Sequence, residues 1–96
     1  MALEFIDKAP TLEEYKEMRR AVNFMVLSDR IASNALHNAF HITCVRDSGR
    51  AVGMIRVLSD GSYANFITDV MVIPEYQHRG IGTQMMKRTM EYMRST

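Results

Sequence analysis

The hydrophobic period of this chain changes at Phe40 from that of helices to that of strands, and that change decides which folds are open to it. Before it, apolar residues recur at three- and four-residue spacing. "TLEEYKEMRRAVNFMV" opens on Thr11 and carries Glu14 three residues later, the pattern of a capping box. Leu12, Tyr15, Met18, Arg19 and Val22 then mark one face of an amphipathic helix. Ser28 or Asp29 caps a second helix, whose inner stripe is Ile31, Ala35, Leu36 and Ala39. From Phe40 the pattern is that of strands. "FHITCVRD" and "AVGMIRVLSD" are β-rich runs joined by the hairpin turn "DSGR". "SDGS", Ser59 to Ser62, makes a second turn and leads into a third run, "YANFITDVMVI".

Two shorter segments complete the order. "ALEFIDKAP" alternates weakly and stops at Pro10, which predicts a first strand over Leu3 to Ile6. A final helix is expected from about Gly80 to Arg94, with Ile81, Met85, Met86, Thr89, Met90 and Met93 on its packing side. The methionines read as a flexible core stripe rather than a cofactor box. The order β-α-α-β-β-β-α implies an α+β fold, a mainly antiparallel sheet packed against helices. With 96 residues and no repeat, low-complexity tract or linker, the chain is expected to form a single domain over residues 1–96.

Composition narrows the functional classes. A formal net charge of +1 argues against generic nucleic-acid binding, which needs a broad cationic surface, so any anion site must be local. The single cysteine, Cys44, excludes an internal disulfide and a multi-cysteine zinc site. Its apolar context, "AFHITCV", reads as a buried thiol. His37 and His41 share four-residue spacing without a third ligand in view, so no metal site is expected. No apolar run is long enough for a membrane, and "MALEFIDKAP" has acids where a secretion signal carries basic residues, so the cytoplasm is the expected location.

The chemistry concentrates in "VMVIPEYQHRGIGTQ", Val70 to Gln84, where a strand passes through Pro74 into a helix. A helix start exposes unpaired backbone N–H groups and a partial positive charge. A pyrophosphate fits there if the backbone is uncrowded, and Gly80 and Gly82 remove the bulk. His78 and Arg79 place donors at the rim, and Thr83 offers a hydroxyl. The loop is not a P-loop, because no lysine follows Gly82. It is not a Rossmann turn either, having two glycines after an antiparallel meander. On these residues alone the glycines could equally serve only a tight turn.

The stretch Gln77-His78-Arg79-Gly80-Ile81-Gly82, preceded by "DVMVIPEY", resembles the Gln/Arg-x-x-Gly-x-Gly/Ala acetyl-CoA motif of the GNAT N-acetyltransferase superfamily. "VGMIRVLSDGSYANFITDV" is similar to that family's hairpin leading into the cofactor strand. The resemblance implies a GNAT-like fold and direct transfer of acetyl from acetyl-CoA to an amine acceptor. It implies that Val70, Met71 and Val72 pair with the pantetheine arm, that a bulge turns an amide near Val70 toward the thioester carbonyl, and that Gln77, His78, Arg79, Gly80, Ile81, Gly82 and Thr83 hold the pyrophosphate. Asp69 is the candidate general base, with Asn65 and Ser62 as polar alternatives nearby and a strand-end structural role as the other reading of Asp69.

The chain departs from the family pattern after the last helix, where members ordinarily continue into another strand, helix and closing hairpin. Tyr92 does not correspond to the tyrosine that such a helix supplies. "VMVI" is apolar at every position, so both faces of that segment are expected to be covered. Its open edge is expected to pair with another chain, giving a homodimer that completes the sheet, unless the chain is a piece of a longer enzyme. An inactive acyl-CoA-binding or interaction module is the alternative to the enzyme. Arg19, Arg20 and Arg30 are read either as attracting an acidic acceptor or as solvated helix charges.

Overall fold

Thr11 closes the expected capping box. Its Oγ1 accepts from the Glu14 N–H at 3.1 Å, and the Glu14 carboxylate accepts from the Thr11 N–H at 2.9 Å. From that start α1 runs over Leu12–Ala21. Ser28 caps α2, Asp29–His37, by accepting from the Ile31 N–H. The computed structural model describes residues 2–95. Its strands are β1 (Leu3–Ile6), β2 (His41–Asp47), β3 (Arg50–Ser59) and β4 (Asn65–Val72), and α3 spans Ile81–Arg94.

The strands form one antiparallel sheet in the order β1-β2-β3-β4. The β2–β3 hairpin turns at Ser48 and Gly49, both at positive φ (50° and 89°), the backbone that matches the twist of the flanking strands. Side chains divide the sheet. Arg56 of β3 reaches Ala35 of α2, and Arg46 of β2 reaches Glu14 of α1, so α1 and α2 cover one face. Gly53 lies under Met85, and Asp7, bonded to Thr43 of β2, takes Arg88 of α3, so α3 covers the other. Tyr15, Met18, Ala32, Cys44, Met54 and Met71 fill the core with Ile55, Ile81 and Met85. Burial pushes the Cys44 thiol up to about 11, an inert core sulfur.

Three expected stripes are narrower in the structure. In α2 the fully buried residue is Ala32, whereas Ile31 is exposed. In α3, Ile81, Met85 and Thr89 are buried at strict four-residue spacing, while Met86 and Met90, one residue round the helix, face outward. "VMVI" was expected to be covered on both faces; only Met71 and Ile73 are buried, and Val70 is 40% exposed. The strand is the edge of the sheet, so its apolar character does not report burial on both sides.

Two measurable consequences follow from this packing. The Thr89 Oγ1 is buried without a hydrogen-bond partner among the described residues. Replacing it with the near-isosteric valine removes an orphaned hydroxyl, so Thr89→Val is expected to gain about 1 kcal/mol in urea unfolding. Arg46 grips Glu14 with two bonds of 2.8 Å, and that pairing takes the Glu14 carboxyl from 4.5 down to about 2. A depressed carboxylate pKa favours the folded state above the unfolded value and loses that benefit as pH falls through the folded one. Stability is therefore expected to decline between about pH 4.5 and 2 more steeply than in Glu14→Gln, with denaturant midpoints at stepped pH as the check.

Candidate functional site

β4 ends at Val72, and the chain turns through a 3-10 segment, Pro74–Tyr76, before α3. The Gln77 Nε2 donates to the Val72 carbonyl at 2.9 Å, tying the turn back to the strand end. His78 and Gly80 both take left-handed backbone (φ 64° and 78°), which glycine adopts without steric cost. Gly80 is the N-cap of α3, and no side chain caps it. The first i to i+4 bond runs from the Gln84 N–H to the Gly80 carbonyl at 3.0 Å. The N–H groups of Ile81, Gly82 and Thr83 thus precede the intrahelical ladder.

These amides border a concavity of about 290 Å³ lined by Val72, Gln77, His78, Gly80, Gly82 and Thr83. A Cβ at Gly82 would meet nothing within 4 Å, so that face of the helix start is bare backbone. Donor amides, a helix dipole and absent side-chain bulk fit a diphosphate. Arg79 is engaged elsewhere: its guanidinium donates to the Glu75 carbonyl at 3.0 Å and lies 5.2 Å over the Tyr76 ring. Tyr76 in turn donates to the Asp47 carboxylate, which fixes the 3-10 segment against the β2 end.

Upstream, β4 carries a bulge. Met54 pairs with Met71 and Arg56 with Thr68, so Asp69 and Val70 together oppose Ile55. Asp69 sits at φ 51° and its side chain is 7% exposed. It accepts from Tyr15 Oη at 2.5 Å, Arg19 at 2.9 Å and Arg56 Nε at 2.8 Å. Burial alone would raise its pKa, but the Tyr15 hydroxyl and the two guanidiniums outweigh that and hold the carboxyl below its usual range. A carboxylate so held is a weak proton acceptor. Burial first, and then Asp69, raise the Tyr15 hydroxyl.

The sequence pointed to Asp69 but not to its partners. Arg19 belonged to the α1 stripe, and the structure turns it inward onto Asp69, with its side chain 11% exposed, rather than outward as a solvated or acceptor-steering charge. Arg56, a charge inside "GMIRVL", was the unread signal. Gly53 is a further unread position: a Cβ there would stand 3.0 Å from the Met71 carbonyl, so only glycine lets β3 approach the cofactor-strand candidate without displacement. His41 is packed against the Tyr92 ring at 3.8 Å with Asp7 at 3.5 Å; burial lowers its pKa, against the pull of Asp7. Among the described residues no group of three or more His, Cys, Asp or Glu side chains is placed to hold a metal ion, and no helix is long and apolar enough to cross a membrane.

Residues 6–96 match the model of the acetyltransferase (GNAT) family. Among solved structures, the chain is similar to a protein of unknown function from meticillin-resistant Staphylococcus aureus, described as a probable acetyltransferase: TM-score 0.92, 28% identity, 97% of this chain and 70% of that one. It is also similar to a GNAT-family acetyltransferase of Streptococcus pneumoniae, with TM-score 0.76 and 28% identity over 94% of this chain and 65% of that one. The fold recurs at 12% identity and TM-score 0.78 in Neisseria gonorrhoeae N-acetylglutamate synthase, solved with coenzyme A and N-acetyl-glutamate; the chain spans 23% of that protein. No curated protein matches.

Proposed function

Because this chain belongs to the GNAT acetyltransferase family, we propose that it transfers acetyl from acetyl-CoA directly to an amine. The observation that carries the reading is the uncapped, glycine-bare start of α3 beside its concavity. The N–H groups of Ile81, Gly82 and Thr83, with Gln77, His78 and Gly80 shaping the turn, would hold the pyrophosphate. Arg79 would contribute by bracing that turn from the Tyr76 side. The backbone of Val70, Met71 and Val72 would pair with the pantetheine arm along the open edge of β4. Acetyl-CoA supplies the activated acyl group; the chain supplies orientation and a donor, the Val70 N–H at the bulge, for charge developing on the thioester oxygen. Asp69 enters this reading as a structural carboxylate rather than the base, since three donors occupy it.

A second reading, an acyl-CoA-binding module without transfer, is favoured by that same occupancy. The two separate cleanly. Coenzyme A should raise the melting temperature in a titration under both, since a ligand of the folded state stabilises it; release of free thiol from acetyl-CoA with a panel of amines should occur only under the first. No shift with coenzyme A would defeat both. The same proposal places the protein in the cytoplasm and pairs a second copy with the Asn65–Thr68 part of the β4 edge, clear of the stretch given to the pantetheine arm, as a homodimer. Gel filtration giving a well-folded monomer at micromolar concentration would remove the dimer from it.

A further inference from the structure

Burying a charge is costly unless its partners repay it, and Asp69 is repaid from two elements: Tyr15 and Arg19 come from α1, and Arg56 from β3. Both arginines also hold a second group. Arg19 Nε donates to the Met25 carbonyl, just beyond α1, at 2.9 Å, and Arg56 donates to the Ala35 carbonyl of α2 at 3.3 Å. Asp69 itself occupies a left-handed backbone conformation, which is uncommon for a residue within a strand. The next residue is Val70, which shares the bulge with it.

We infer that Asp69 is a positioning residue: its carboxylate holds the β4 bulge and thereby aims the Val70 N–H, while Arg19 and Arg56 tie that aim to α1, α2 and the segment between them. The kinetic part of this inference rests on the transfer reading given above; the structural part does not. The role also differs from that of a base. A base takes up and releases a proton in each cycle, whereas this carboxylate keeps its charge and its three donors throughout.

Asp69→Asn and Tyr15→Phe test it in the full chain, with two readouts. By amide NMR with hydrogen exchange, both variants should shift and deprotect the amides of residues 68–71, leaving those of Gly82 and Thr83 in place. Kinetically, kcat should fall about tenfold in Tyr15→Phe and about a hundredfold in Asp69→Asn, with KM for acetyl-CoA rising by a smaller factor than kcat falls. The pH profile of kcat should keep its shape in Asp69→Asn. Bulge amides unchanged in both variants would overturn the inference. So would loss of the ascending limb of that pH profile, which is the mark of a base. If Asp69→Asn does not fold, Tyr15→Phe, which removes a neutral donor, decides alone. A wild-type chain that releases no thiol with any amine defeats the transfer reading, and the amide readout still judges this one.

Discussion

Asp69→Ala is expected to lose about 3–5 kcal/mol of folding stability, the usual consequence of removing one member of a buried charge cluster. The side chains of Arg19 and Arg56 are 11% and 13% exposed, so without Asp69 two guanidiniums face each other with little water to screen them. The Tyr15 hydroxyl, fully buried, loses its acceptor as well. Alanine also takes up the left-handed backbone at this position less readily than aspartate does, which adds strain. A domain of this size has roughly 5–15 kcal/mol in total, so much of its margin would go. Urea unfolding of the variant is the measurement. A loss below about 1 kcal/mol would mean that the two arginines find other partners or solvent, and that the cluster is less closed than its geometry indicates.

Gly82→Asp is expected to abolish the rise in melting temperature expected with coenzyme A. At a ligand concentration about a hundredfold above Kd, binding adds about 2.7 kcal/mol to the folded state, and all of that should vanish. The new carboxylate would stand where the diphosphate is to sit, with its charge opposed to the ligand's. Folding itself should survive, because a carboxylate in the first turn of a helix is favoured by the dipole and a Cβ at this point meets open space. Gly82→Ala sharpens the argument. Alanine should stabilise the empty protein by up to about 1 kcal/mol through helix propensity, yet weaken the coenzyme A response through bulk. Opposite signs in one variant would separate the ligand's needs from the fold's. An undiminished response in Gly82→Asp would move the site away from this turn.

The elements were largely legible because each carries its own local signal. Thr11 with Glu14 and the "DSGR" turn encode local hydrogen bonds or backbone angles that neighbouring residues suffice to set. The turn into α3 was readable for the same reason, since Gly80 states its own left-handed angle. The Asp69 cluster was not. Arg19 and Asp69 lie 50 positions apart, and nothing along the chain says that an α1 arginine and a β4 aspartate will meet. The bulge left only a faint trace, an aspartate in a strand, a residue type that accepts left-handed backbone more readily than its β-branched neighbours. Edges mislead in another way. Val70, Met86 and Met90 are apolar and exposed, and hydrophobicity alone does not distinguish a side chain packed inside from one left at a margin.

The sheet separates two workplaces. α3 and the bare turn sit on one face, and α1, α2 and the arginine cluster on the other, with the sheet between them. The segment after α1 therefore lies across the sheet from the turn proposed to hold the diphosphate. Under the transfer reading, a laboratory re-targeting the protein to a new amine could diversify the exposed Met25 and Val26, keep Val22, Leu27 and Ser28 for the fold, and expect the proposed grip on the nucleotide to pass through the library intact.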